Sequence, residues 1–391
     1  MIGRCSSPWF VAPVLPADLS LPPFRQRFPW IGGDLQTLRD TLHPPKLPLD
    51  RGLPLEWPVG VLPCRSASLS PGRSGSGSGD RLLALLDGAP SAADARGLVL
   101  LLHGLGGSSD REGLRRMGQT LQAAGFAVVR LNLRGAGAGR QLAGGTYAGR
   151  CSSDLLPVIA QARRLAEELG QATKAGPLAG RPLPLLGAGI SLGGTMLLNA
   201  CLDGAAQASG SGSGRQPVLD GLVCISSPLD LDACSRQIER PRNRVYQNWL
   251  LERLCRQTLE DPFGVTPQER QALEGAERPR TIRRFDAAIT APRWGYTSVD
   301  HYYAAASPLP RLLAGEPLPP TRLLHALDDP WVPVEATRRL ASRASEGIEV
   351  TLTSGGGHNG FHGCGDHRRP PGCWGDWLTA RWLLDFSAAQ G

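Results

Sequence analysis

Six short apolar runs alternate with helical patterns between residues 98 and 358, and this alternation constrains the fold more than any other feature. The runs are "LVLLLHG" (98–104), "FAVVRLNLRG" (126–135), "PLPLLGAGIS" (182–191), "LDGLVCISSP" (219–228), "TRLLHALDDP" (321–330) and "IEVTLTSGGGH" (348–358). Helical patterns lie between or after them at 111–125, 153–170, 192–202 and 374–387. The segment at 153–170 opens with a Ser N-cap candidate, and it and 111–125 each end on a Gly. Each parallel pairing of strands needs such a crossover, so the expected fold is α/β, with a mostly parallel central sheet flanked by helices. In sheets of this kind ligands sit at the carboxyl ends of the strands. The loops that leave those ends therefore carry the functional reading.

"GAGISLGGTM" (187–196) places Ser191 among small residues where a strand gives way to a helix. A plain tight turn would explain the glycines. A nucleophile elbow, G-x-S-x-G, would explain the serine as well, because its strained turn lifts a hydroxyl clear of the sheet. The elbow needs a base, an orienting acid and an oxyanion hole. "SGGGHNGFHG" (354–363) follows the last run and offers His358 as the base, since imidazole can take a hydroxyl proton near neutral pH. "LDDPWVP" (327–333) offers Asp328 and Asp329; the spacing of Asp329 to the following Val-Pro resembles the acid loop of many α/β-hydrolases, which favours Asp329 as the acid that orients the imidazole. "HGLGGSSD" (103–110) has no Lys after its glycines, so it is no phosphate loop. It reads instead as an oxyanion loop, in which the N–H of Leu105 would pair with that of Leu192. His103 and Arg134 are expected to organise their loops rather than to act on substrate. The order Ser191, Asp329, His358 is that of α/β-hydrolases.

The motifs "FPWIGGDLQTL", "HGLGG", "LNLRGAGAG", "GISLGG", "ISSPLDL", "FDAAITAPRWGY", "HYYAAASPLP", "LDDPWVP" and "GGGHNGF" run from about residue 24 to near the end of the chain. Together they resemble the YheT-like branch of the α/β-hydrolases, the AB-hydrolase 4 family. The resemblance implies the triad Ser191, Asp329 and His358. It also implies esterase, lipase or acyltransferase activity on carboxylic esters, with medium-chain acyl or glycerolipid substrates among relatives. Some eukaryotic members carry an N-terminal membrane anchor, for which this sequence shows no matching apolar stretch. The Gly-Ser stretches at 72–80 and 208–216 depart from the family pattern and read as flexible surface loops.

The connection from Pro228 to Thr321 is too long for an ordinary crossover. It contains "RNRVYQNWLLERLCRQTLE" (242–260), where Val245, Trp249, Leu250 and Leu254 recur at helical spacing. A helical cap over about 229–320 is expected, inserted in a single domain that spans 1–391. "HNGFHGCGDHRRPPGC" (358–373) gathers His358, His362, Cys364, His367 and Cys373, but without the paired short spacings of a zinc site. No metal or other cofactor is expected.

A net charge of +7 spread over 391 residues, with no basic cluster interleaved with aromatics, argues against a nucleic-acid partner. Nine cysteines at irregular positions, several in apolar runs, fit a reduced cytoplasmic protein. No run of about 18 apolar residues is present, so no membrane span is expected, only transient contact with lipid. The expected partner is a small-molecule ester. The alternatives carried forward are an acyltransferase, which would pass the acyl group to an alcohol instead of water, and a non-catalytic binding protein on a hydrolase fold.

Overall fold

The computed structural model describes residues 21–47, 52–62, 79–88, 95–173, 180–211, 218–276, 278–343, 346–366 and 371–390. Eight strands form one sheet: β1 (Leu53–Pro58), β2 (Arg81–Asp87), β3 (Leu98–Leu102), β4 (Ala127–Leu131), β5 (Leu185–Ile190), β6 (Gly221–Ile225), β7 (Thr321–Ala326) and β8 (Ile348–Thr353). Their order is β1-β2-β4-β3-β5-β6-β7-β8. The six strands β3 to β8 pair in parallel, while β1 and β2 join antiparallel at one edge.

The parallel strands are continuous apolar runs because both faces of the sheet are covered. Along β3, Leu98, Leu100 and Leu102 point into one core, packed with the helices Ser152–Ala172 and Leu192–Ser211. Val99 and Leu101 point into the other, packed with Glu112–Ala123 and Trp374–Ala388. The two-residue period of a strand thus divides one run between two layers. Each fully buried side chain of this kind contributes about 1.5–3 kcal/mol.

Three local expectations need correction. The helix read at 153–170 runs Ser152–Ala172, with Cys151 as N-cap and no side-chain cap. Gly170 does not end it: a Cβ there would lie 2.0 Å from the Arg181 carbonyl oxygen, so glycine allows a close crossing of the chain. The helix after Ser191 extends to Ser211, so residues 208–211 of the expected loop are helical. Ala205, Ala206 and Ala208 favour continuation past Gly204. Residues 72–78 and 212–216 of the two Gly-Ser stretches lie outside the described residues.

Between β6 and β7 the chain forms the helices Leu231–Ile238, Arg244–Leu259, Pro267–Glu274, Ile282–Phe285, Val299–Ala306 and Leu309–Leu313, with a π-helical turn at Asp286–Thr290. Ile238, Leu250, Leu251, Leu254, Phe285 and Ile289 form a core of their own there. Leu250 and Leu254 point inward as their spacing suggests, but Val245 is 79% exposed and Trp249 43%. The Trp249 ring instead lies beneath the guanidinium groups of Arg111 and Arg253, at 5.8 and 5.0 Å. No helix of the described residues is long and apolar enough to cross a membrane.

Candidate active site

Ser191 stands between the end of β5 and the helix Leu192–Ser211, with φ at +54°. A non-glycine residue held in this region stores about 1–2 kcal/mol of strain. Its own backbone holds it there: the N–H donates to Ile225 O at 2.7 Å, and the C=O accepts from Gly194 N–H at 3.0 Å. The neighbours are small because the backbones crowd. A Cβ on Gly189 would come 2.4 Å from Gly194 Cα, and one on Gly193 would come 2.6 Å from His103 O.

His358 reaches this serine from the loop after β8. Its Nε2 lies 2.9 Å from Ser191 Oγ, and its Nδ1 lies 2.9 Å from Asp329 Oδ2. All three side chains are buried. The second Asp329 oxygen accepts the N–H groups of Trp331 and Val332, at 2.8 and 2.9 Å. Burial alone would raise the Asp329 carboxyl, but the adjoining His358 and these donors hold it below its ordinary value. Asp328 turns elsewhere: it accepts Gly357 N–H at 2.8 Å and the Gln26 amide at 3.3 Å. Burial pushes its carboxyl up. Of the two neighbouring carboxylates, Asp329 contacts the imidazole and Asp328 braces the loop that carries it. The Trp331 ring stacks on His358, with centroids 4.6 Å apart and planes 27° apart.

On the other side of Ser191 lies the loop after β3. A Cβ on Gly104 would meet the Ser191 Cβ at 2.9 Å, so loop and serine are in contact. Leu105 and Leu192 both line the adjoining cavity. Among the described residues, neither of their backbone N–H groups donates to a protein acceptor. Tyr147 Oη accepts Gly106 N–H at 2.7 Å and donates to Gly104 O at 3.4 Å, which fixes the turn. His103 is buried; Leu133 N–H donates to its Nε2 at 3.3 Å, so its Nδ1 carries the proton that Gly104 O accepts at 2.9 Å. Desolvation lowers its pKa to about 4, so it stays neutral and braces the loop. Arg134 is likewise enclosed. It makes a bidentate pair with Asp154, at 2.8 and 2.7 Å, and a further contact with Asp80.

The histidine-rich stretch does not converge. His362 Nε2 lies 3.4 Å from Asp40 Oδ1, Cys364 Sγ 3.1 Å from Gln26 O, and Cys373 Sγ 3.4 Å from Gly360 O, while His358 serves Ser191. His367 lies outside the described residues. No metal-binding cluster occurs among the described residues.

The site includes residues to which the sequence reading gave no role. The N-terminal helix Gly33–Leu42 grips the histidine loop: Thr37 Oγ1 accepts His358 N–H at 2.8 Å, and Gln36 exchanges hydrogen bonds with both backbone groups of His362 at 2.8 and 3.1 Å. "FPWIGGDLQTL" was the available signal, but its partners lie more than 300 residues away. A cavity of about 340 Å³ opens beside Ser191 and His358. Its wall includes Leu231, Ile238, Leu250, Leu254 and Phe285 from the β6–β7 connection. Arg253 of the same connection donates to Gly106 O at 2.9 Å, tying these helices to the loop after β3.

Residues 99–385 match the alpha/beta hydrolase family. The chain is 30% identical over 308 residues to the Escherichia coli (strain K12) protein "Putative esterase YheT", covering 77% of this chain and 80% of that protein. It is 29% identical over 270 residues to the Homo sapiens protein "Phospholipase ABHD3", covering 69% of this chain but only 59% of the relative's length. The fold resembles that of a solved brefeldin A esterase, described as a bacterial homologue of human hormone sensitive lipase. The TM-score is 0.50 at 16% identity, over 88% of this chain and 80% of that one. The chain belongs to the alpha/beta hydrolase family, in its YheT-like branch.

Proposed function

We propose that this protein is a serine hydrolase of carboxylic esters, with Ser191 as nucleophile, His358 as general base and acid, and Asp329 as the group that orients the imidazole. The observation that carries the reading is the pair of 2.9 Å contacts linking these three side chains beside a largely apolar cavity. The relatives' names, esterase and phospholipase, support it from a separate direction.

In this mechanism His358 Nε2 takes the Ser191 hydroxyl proton as Oγ attacks the ester carbonyl carbon. The imidazolium that forms keeps its Nδ1–H on the Asp329 carboxylate. The carbonyl oxygen becomes an oxyanion against the N–H groups of Leu105 and Leu192, each worth about 3 kcal/mol in such a role. Collapse breaks the bond to the alcohol, which leaves with the proton from His358. Water, deprotonated by the same nitrogen, then attacks the acyl-enzyme and releases the acid and the free serine.

The helices of 229–320 act as a cap on one domain, excluding water and shaping the pocket. The apolar wall suits a short or medium acyl chain or a lipid-like ester. The setting in this reading is cytoplasmic, with no resident cofactor. The test is a fluorophosphonate probe together with p-nitrophenyl esters of graded length. Labelling at Ser191 and turnover that Ser191→Ala abolishes are expected; full turnover by that variant would overturn the reading.

A further inference from the structure

On the side of the cavity formed by the β6–β7 connection, the apolar residues Leu231, Ile238, Leu250, Leu254 and Phe285 give way to a polar cluster where the π-helical turn Asp286–Thr290 meets the helix Val299–Ala306. There the Asp286 carboxylate accepts one hydroxyl on each oxygen, from Thr290 at 2.6 Å and from Tyr303 at 2.8 Å. A carboxylate has about four acceptor sites, so capacity remains. Among the described residues no Arg, Lys or His stands within ion-pair distance of Asp286. The neighbouring Arg283 spends its guanidinium on Asp232, at 2.6 Å, and on Asp300. Beside the carboxylate, Tyr302 Oη accepts Gly149 N–H at 2.8 Å, and its own proton has no acceptor among the described residues. Asp286, Tyr302 and Tyr303 line the same cavity as Ser191 and His358.

Asp286 is half-buried and Tyr302 buried; charges withdrawn from water are ordinarily paired, and buried hydroxyl protons ordinarily bonded. Burial shows its cost here by raising the Asp286 pKa to about 6. A carboxylate with spare lone pairs and a phenol with a spare proton therefore line the pocket beside the apolar residues Leu231, Ile238 and Phe285. A wholly hydrocarbon substrate would leave both unanswered. π-Helical turns occur disproportionately at functional sites, which agrees with the placement.

We propose that Asp286 and Tyr302 form a polar subsite for a hydrogen-bond-donating group of the substrate, a hydroxyl or a protonated amine, carried away from the scissile carbonyl. This narrows the substrate class to functionalised esters, and it rests on the reading of Ser191 as nucleophile. Asp286 accepts the donor; Tyr302 donates to the same group where that group is a hydroxyl.

The test uses two series of esters matched in length. One varies the far end of the acyl chain and the other the far end of the alcohol, each ending in methyl, hydroxyl or ammonium. In at least one series kcat/KM is expected to be about tenfold or more higher for hydroxyl or ammonium ends than for methyl. Asp286→Asn is expected to collapse the ammonium preference within that series; the ratio is internal to each variant, so altered folding yield does not imitate it. Retention of the full ammonium preference by Asp286→Asn would move the subsite elsewhere. A wild type that cleaves all the esters but favours methyl ends in both series overturns the subsite and leaves the hydrolase reading standing. A wild type inert toward every ester brings down both. The wild-type comparison decides even if the variant does not fold.

Discussion

The two walls of the cavity are built on different principles. On the sheet side, Ser191, His358 and Asp329 leave three different strand ends, and directed hydrogen bonds fix each of them. These include Ser191 N–H to Ile225 O, His358 N–H to Thr37 and Asp329 to the Trp331 and Val332 amides. On the helical side, Leu250, Leu254, Ile238 and Phe285 hold one another by burial. Directed bonds tie that core to the sheet side at its margins, among them Arg253 donating to Gly106 O at 2.9 Å and Gly145 N–H donating to Asp261 at 2.8 Å. Proton transfer demands heavy atoms placed within tenths of an ångström, whereas an acyl pocket needs only volume and dryness. Substitutions on the sheet side should therefore alter kcat, and those on the helical side should alter which ester is preferred.

The largest effect is expected at the relay itself. Ser191→Ala and His358→Ala should each lower kcat by about 10⁴-fold or more, and the double variant should be hardly worse than either, because the residues act as one unit. Burst kinetics and single-turnover assays with a p-nitrophenyl ester check this; additive losses would mean that the two side chains work separately. Asp329→Asn should cost about 10³- to 10⁴-fold in kcat, since an amide favours the wrong imidazole tautomer. Asp328→Asn should cost less than about tenfold, because Asp328 braces Gly357 without touching His358. Equal losses at 328 and 329 would contradict the assignment.

That pair shows how far the sequence was legible. "LDDPWVP" offers two carboxylates, and its likeness to the acid loop of α/β-hydrolases favours Asp329, the one whose side chain lies against His358. The elbow was legible because the small residues it requires all stand within "GISLGG", although part of the crowding that requires them comes from His103 and Ser227. The grip of Gln36 and Thr37 on the histidine loop was not legible, since no pattern within either segment specifies a contact across the whole chain. Strands β1 and β2 were missed for a different reason. Pro54 and Pro58 disguise β1, an edge strand that tolerates proline, and β2 lies just after a Gly-Ser stretch. Val245 fitted the helical period yet is exposed, because the period identifies a stripe without locating its margin.

Smaller effects should come from residues that hold the sheet-side geometry without touching substrate. Tyr147→Phe removes the hydroxyl that accepts Gly106 N–H and donates to Gly104 O, loosening the proposed oxyanion loop. A loss of about 2 kcal/mol in transition-state stabilisation is expected, about 30-fold in kcat with KM little changed. Thr37→Val leaves the His358 N–H without its acceptor, at a cost of about 1 kcal/mol or about fivefold in kcat, and Thr37→Ser should restore most of it. If Thr37→Val alters only thermal stability, the N-terminal helix supports the fold but does not set the position of the imidazole.

The smallest expected effect belongs to the helical side and is read in stability. Burial raises the Asp286 pKa from its ordinary value of 3.8 to about 6. At low pH the group is protonated in both the folded and the unfolded chain and makes no difference between them. As pH rises from about 4 to about 6, the unfolded chain gives up this proton first, so Asp286 progressively favours unfolding; above about 6 the penalty is complete. Because the group faces the cavity, the penalty is discounted to about 1 kcal/mol. Asn cannot ionise and can still share hydrogen bonds with Thr290 and Tyr303. The stability of Asp286→Asn relative to wild type should therefore increase across that window and level off above it, as measured by denaturant titration at fixed pH values. A difference that stays flat with pH would show that this wall carries no uncompensated charge. The contrast between a hydrogen-bonded catalytic side and a polar spot set in an apolar side would then lose its second term.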